Sequence, residues 1–275
     1  MPQYPLKGTG LSLRQEFCHE LATCLPRPVH FLEIIPENWM HMGGWRAKQL
    51  QEFSERYPLI AHGLSLSVGG PGSLDSGFLE ALRQFFTTHH IVHYSEHLSF
   101  SHDAQGRLYE LLPIPFTKEA ADYVSARIRQ VQDYLGLQIA IENPSYYCAP
   151  GQEMTEIEFI TTILNDADCL MLLDVNNVYV NSINHGYDPY LFIQQIPTSR
   201  ITYVHVAGHW QKEPNLLIDT HGAPVTESVW KLLQFLYQQH GPQPTVLERD
   251  SAIPPLAELF TEIAIIKTLQ QQELK

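Results

Sequence analysis

Short apolar runs rich in Val, Ile and Leu recur along the chain at 9–13 (TGLSL), 29–35 (VHFLEII), 58–64 (PLIAHGL), 91–98 (IVHYSEHL), 137–142 (LQIAIE), 169–175 (CLMLLDV), 201–206 (ITYVHV) and 244–249 (PTVLER). Their length and composition predict strands. Between them the apolar period changes. Ala121, Val124, Ile128, Val131 and Leu135 recur at spacings of three and four, which predicts a helix over 117–135 with Thr117 as N-cap and Gly136 at its end. Thr155 with Glu158 reads as a capping box, Asp188-Pro189 as a cap before a first-turn proline, and Gly241 as the stop of a helix beginning near Val225. Strands alternating with helices call for a parallel sheet, and eight such units close into a (β/α)8 TIM barrel, expected here as a single domain over 1–275. The competing open, doubly wound sheet lacks its usual G-x-G-x-x-G after the first strand.

The segments that follow strands (63–75, 99–116, 143–153, 175–187 and 207–224) are long and polar, and barrel function sits on that face. A formal net charge of −13 without a Lys/Arg block argues against a nucleic-acid partner, whose binding is built on basic residues. Cys18, Cys24, Cys148 and Cys169 are scattered without C-x-x-C spacing. MPQYPLKGTG has no apolar signal region, and no stretch is apolar enough to span a bilayer. A reducing cytoplasm and no membrane association are therefore expected.

Six consecutive strand candidates end in an ionisable residue after an apolar approach: His62, His97, Glu142, Asp174, His205 and Glu248. Alternation along each strand is expected to point them into one barrel mouth. Three carboxylates brought together resist ionisation unless cations balance them, and carboxylates mixed with neutral imidazoles suit iron, zinc or manganese. His185, Asp219 and His221 extend the candidates to nine, enough for two or three ions, with Glu142 or Glu248 the expected bridge. Glu142, Asp174 and Glu248 are the carboxylates expected to take part in catalysis. Asn177 and His209 are expected to orient ligands from behind. Glu33, Glu37 and Asn38 in FLEIIPENW divide evenly between helix capping and substrate contact. The glycine cluster at 67–77 reads as a flexible lid or turn.

Taken in order, GTGLSLR, AHGLSLSVGG, SEHLSF, IENPS, LDVNNVYVNSINHG, HVAGH, DTHGAPV and LERD resemble the multinuclear non-heme iron-dependent oxidative enzymes, a bacterial family long of unknown function that includes the iron enzyme of methanobactin biosynthesis. The resemblance runs from about residue 8 to 250. It implies a xylose-isomerase-like barrel with two or three irons, cycling between Fe2+ and Fe3+, that uses O2 to modify cysteine in ribosomally made precursor peptides. It also implies a partner protein that presents the peptide leader. Carried onto matching positions, it supports the same nine ligands. The ligand set alone equally suits a Zn or Mn sugar isomerase or hydrolase, or a metal-binding barrel without turnover. Zinc or manganese in the protein as purified is compatible with either reading.

Overall fold

The computed structural model describes residues 6–24, 29–103 and 105–273. The first five residues, on which the reading of the N-terminus partly rests, lie outside them. The strands are β1 (Thr9–Ser12), β2 (Phe31–Ile34), β3 (Leu59–Gly63), β4 (Tyr94–His97), β5 (Phe100–His102), β6 (Arg107–Leu112), β7 (Ala140–Glu142), β8 (Leu170–Asp174), β9 (Ile201–Val206), β10 (His209–Glu213), β11 (Leu216–Asp219) and β12 (Thr245–Leu247). The helices are α1 (Cys18–Thr23), α2 (Gly44–Arg56), α3 (Ser76–His89), α4 (Lys118–Leu135), α5 (Glu156–Asp166), α6 (Val175–His185), α7 (Pro189–Gln195), α8 (Glu227–His240) and α9 (Leu256–Gln272).

Strands β1-β12-β9-β8-β7-β4-β3-β2 form a closed parallel barrel, and its members are the eight runs read from the sequence. The predicted caps also hold. Thr117 accepts from Ala120 N, Thr155 and Glu158 form a reciprocal capping box, Asp188 caps α7 ahead of Pro189, and Gly136 closes α4 at φ +68°. Two segments expected as loops instead form antiparallel hairpins, β5–β6 and β10–β11. Each alternates only briefly, so its pairing partner rather than its own period makes it a strand.

The chain divides into two compact units. One, Ile35–Leu172, carries β3, β4 and β7 with α2 to α5, and α3, α4 and α5 pack in series. Its register sets His62 beside Ser95 and His97 beside Glu142. Arg127 on α4, 7% exposed, donates to the carbonyls of Ser67, Val68 and Gly72, so the glycine cluster is tied down rather than loose. The other unit joins the stretch ending at Ile34 to the residues from Leu173 onwards, and holds β1, β2, β9 and β12 with α1 and α6 to α9. There α6 packs on β9, β11 and α8. Its register sets Ser12 beside Glu33 and His205 beside Val246. Among the described residues, no helix is long and apolar enough to cross a membrane.

Candidate metal centres

Each unit gathers its own set of imidazoles and carboxylates at strand ends. In the first unit His62, His97 and Glu142 close β3, β4 and β7, and the register above brings their side chains together. Glu142 Oε2 lies 3.0 Å from His62 Nε2 and 3.1 Å from His97 Nε2, and the two nitrogens are 3.2 Å apart. His62 and Glu142 are 2% and 1% exposed.

The far side of each ring decides what those nitrogens carry. His97 Nδ1 is 3.0 Å from the carbonyl of Gly63, which only accepts, so Nδ1 bears the proton. His62 Nδ1 is 2.7 Å from Ser95 Oγ, whose own second contact is the carbonyl of Ala61. Ser95 can satisfy only one of these as donor. The two Nε2 atoms and a carboxylate oxygen face one another within hydrogen-bonding distance, His97 through its lone pair. That mixture of imidazole and carboxylate donors fits a divalent cation.

In the second unit the set is larger. Asp174 ends β8 and also caps α6, accepting from Asn177 N at 2.6 Å. His205 Nδ1 lies 2.7 Å from Glu248 Oε2 and 3.8 Å from Asp174 Oδ2. His221 Nδ1 is 3.1 Å from Glu248 Oε2, and its Nε2 is 2.9 Å from Asp219 Oδ1 and 3.6 Å from Asp174 Oδ2. The backbone of His221 adopts φ +44°, a left-handed conformation that costs a non-glycine residue about 1 kcal/mol or more. That strain is tolerated where the loop must return His221 to Glu248. Ligand atoms of His221, Glu248 and Asp250 lie within 4.8 Å of one another, as do those of His62, His97 and Glu142. Arg14 is 3.5 Å from Glu248 and pairs with Asp250, offsetting part of the negative charge.

Seven of the nine expected ligands thus fall in direct ligand-to-ligand contact within a unit: His62, His97 and Glu142 in the first, and His205, Asp219, His221 and Glu248 in the second. Asp174 lies slightly further out, as given above. His185 does not join them. It ends α6 on the exposed surface, and eleven helical residues carry it roughly 16 Å from the Asp174 end. His209 acts through another residue: its Nδ1 is 2.8 Å from Asn176 Oδ1, and Asn176 Nδ2 donates to Asp219 at 3.1 Å. Asn177 is buried beside Asp174 in the first turn of α6. Sequence reasoning passed over Asn176, whose signal is only its place one residue before Asn177. It also undervalued Glu33, an acid within an apolar strand like Glu142. Glu33 caps no helix; its carboxylate accepts from Tyr203 and faces His205. Glu37 instead accepts from Leu64 N, its carboxyl pushed up by burial and by neighbouring Glu96, while Asn38 is exposed.

Charge in the second set is finely opposed. Burial works against the His221 imidazolium, but Asp219 and Glu248 outweigh it and hold the group well above its ordinary 6.5. Burial likewise works against the Glu248 carboxylate, but His205 and His221 hold it well below its ordinary 4.5. A raised histidine stabilises the metal-free fold below 6.5 and loses that as pH climbs through the raised value; a lowered carboxyl stabilises above 4.5 and loses that as pH falls through the lowered one. The metal-free protein should therefore hold through mild acid and weaken on the alkaline side. A cation entering this set must displace the His221 proton, so its affinity should rise about tenfold per pH unit until that proton is gone. Zn2+ competition titrations across neutral pH read the slope, and a flat profile would exclude displacement.

The architecture has close relatives. A UPF0276 protein of Nitrosospira multiformis is 51% identical over 274 residues, covering 99% of this chain and 96% of its own. Among solved structures, endonuclease IV of Thermus thermophilus superposes with TM-score 0.61 at 12% identity, covering 98% of this chain and 99% of its own. D-psicose 3-epimerase of Clostridium cellulolyticum reaches 0.57 at 12% identity, covering 98% and 97%. At such identities the likeness concerns the fold, a xylose-isomerase-like barrel. The model of the RiPP precursor modification enzymes MbnB/TglH/ChrH matches residues 8–271, and this chain belongs to that family.

Proposed function

We propose that this enzyme is a multinuclear non-heme iron oxidase that uses O2 to modify a cysteine of a ribosomally made precursor peptide. The observation that carries the metal half of this reading is the first set, where two imidazole Nε2 atoms and a buried carboxylate oxygen lie 3.0 to 3.2 Å from one another. The second set, rich in carboxylates, supplies the anionic ligands suited to a more highly charged ion. The peptide half rests on membership of a family that modifies RiPP precursors. Iron held by these residues would supply one-electron chemistry toward O2 and a site soft enough for a substrate thiolate.

The chain's own residues bind, orient and shield. Ser95 and the Gly63 carbonyl fix the rings of His62 and His97, while Asn176 steadies Asp219. The side chain of His97 is 12% exposed against 1% for Glu142, so the first set opens to the outside on the His97 side. A cavity of about 430 Å3 in this unit includes Leu64 and Ser65, just past the end of β3, with Arg107 and Glu110 from the β5–β6 hairpin. It offers a berth for a peptide segment with polar side chains. A second protein presenting the leader completes the proposal. A cytoplasmic location follows from the need for reduced iron and substrate thiols, and the four cysteines form no disulfide.

Anaerobic purification with metal analysis, followed by exposure to O2 with a cysteine peptide and its serine counterpart, tests the reading. Iron-dependent O2 uptake with the cysteine peptide alone is expected. Tight zinc occupancy without O2 uptake would overturn it in favour of the hydrolytic or isomerising chemistry that similar barrels support.

A further inference from the structure

The two sets present opposite nitrogens of their histidines. In the first, the rings meet Ser95 and the Gly63 carbonyl through Nδ1 and present Nε2. In the second, His205 presents Nδ1 to Glu248 and turns Nε2 toward Glu33, whose Oε2 lies 2.8 Å away. Glu33 sits on β2 at 2% exposure, and the same Oε2 accepts from the Tyr203 hydroxyl at 2.9 Å. Tyr203 and His205 are two apart on β9, so they share one face of the strand and reach the carboxylate together. A buried carboxylate must be satisfied, and here the donors are a phenol and an imidazole.

We propose that Glu33 is a positioning residue that holds the His205 ring from behind and strengthens Nδ1 as a metal donor. A carboxylate offers no proton, so Nε2 donates to Glu33 and Nδ1, on the Glu248 side, is the nitrogen that meets a cation. The group in hydrogen-bond contact behind the ring is a carboxylate for His205, a hydroxyl for His62 and a carbonyl for His97, where the Glu96 carboxylate stands further off at 3.7 Å. A carboxylate behind an imidazole raises the basicity of the opposite nitrogen, and losing such a partner lowers metal affinity by about 10–100-fold. One residue on β2 thus strengthens a donor of the second set from outside its ligands. This inference rests on the metal-binding reading of the second set.

Its test needs no turnover. Long-range 1H–15N spectra of the Zn2+-loaded wild-type protein report which nitrogen of each histidine keeps its proton, and Nε2 is expected for His205, beside Nδ1 for His62 and His97. Glu33→Gln keeps the shape and an accepting oxygen but removes the charge. It should weaken Zn2+ binding at the second set about tenfold or more, leave the first equivalent in place, and keep cooperative melting. A loaded wild-type His205 that keeps its proton on Nδ1, or Zn2+ affinity in Glu33→Gln equal to wild type, overturns the proposal. Wild-type protein that takes up no Zn2+ or Fe2+ overturns the metal reading beneath it, a result distinct from uptake with equal affinity in the two proteins. If the variant fails to fold, the wild-type spectra still decide.

Discussion

Glu142→Gln is expected to lose the ion of the first set while keeping its fold. The carboxylate is nearly fully buried, and its Oε2 is the common neighbour of two imidazole nitrogens at 3.0 and 3.1 Å. Glutamine has the same shape, and its amide can donate to the His97 Nε2 lone pair, so the neutral side chain stays hydrogen-bonded. The variant should melt close to the metal-free wild type. Its affinity for Fe2+ or Zn2+ should fall by more than about a hundredfold, since even outer partners of metal ligands are worth about 10–100-fold. O2 uptake should fall with it. Metal analysis after dialysis against a weak chelator reads the result, and full occupancy in Glu142→Gln would remove Glu142 from the ligands. Glu142→Ala is a weaker probe, because it also opens a cavity.

The second large effect is expected at a glycine without chemistry of its own. Gly208 lies between β9 and β10, and a Cβ there would fall 2.1 Å from the Ala223 carbonyl oxygen and 2.5 Å from that of Pro224. Both obstacles are backbone, so no side-chain rotation relieves them, and the DTHGAPV segment must move. That segment holds His221 against Glu248 and Asp219. Gly208→Ala should therefore cost about 1–3 kcal/mol of stability by overpacking and weaken the ion of the second set, leaving the first set loaded. Gly72→Ala, where an added Cβ meets nothing within 4 Å, should stay within about 1 kcal/mol of wild type. Calorimetric melting and metal content of the two variants give the comparison, and wild-type behaviour of Gly208→Ala would mean the loop yields freely.

Much of this molecule is legible in one dimension because its signals are local. The eight apolar runs, the capping box of Thr155 and Glu158, and the stop at Gly136 depend on neighbours within a few residues. Acids and histidines that end apolar strands stand out for the same reason: burying them without partners is costly. His185 shows where that logic stops. It follows Asp174 closely in a motif, yet the intervening residues form a helix, and a helix converts sequence proximity into distance along an axis. The hairpins β5–β6 and β10–β11 escaped because their strands are defined by pairing across a turn.

The sequence by itself determined the barrel, its strand ends and the residue types that a metal set draws on, because periodicity, caps and the cost of burying charge are short-range physics. Tertiary structure alone decided which nitrogen each histidine presents. That choice belongs to the group behind the ring, and those groups come from distant positions: Ser95 behind His62 is 33 residues away, and Glu33 behind His205 is 172. No local pattern encodes a hydrogen bond across that separation; parallel register and strand closure bring the partners together.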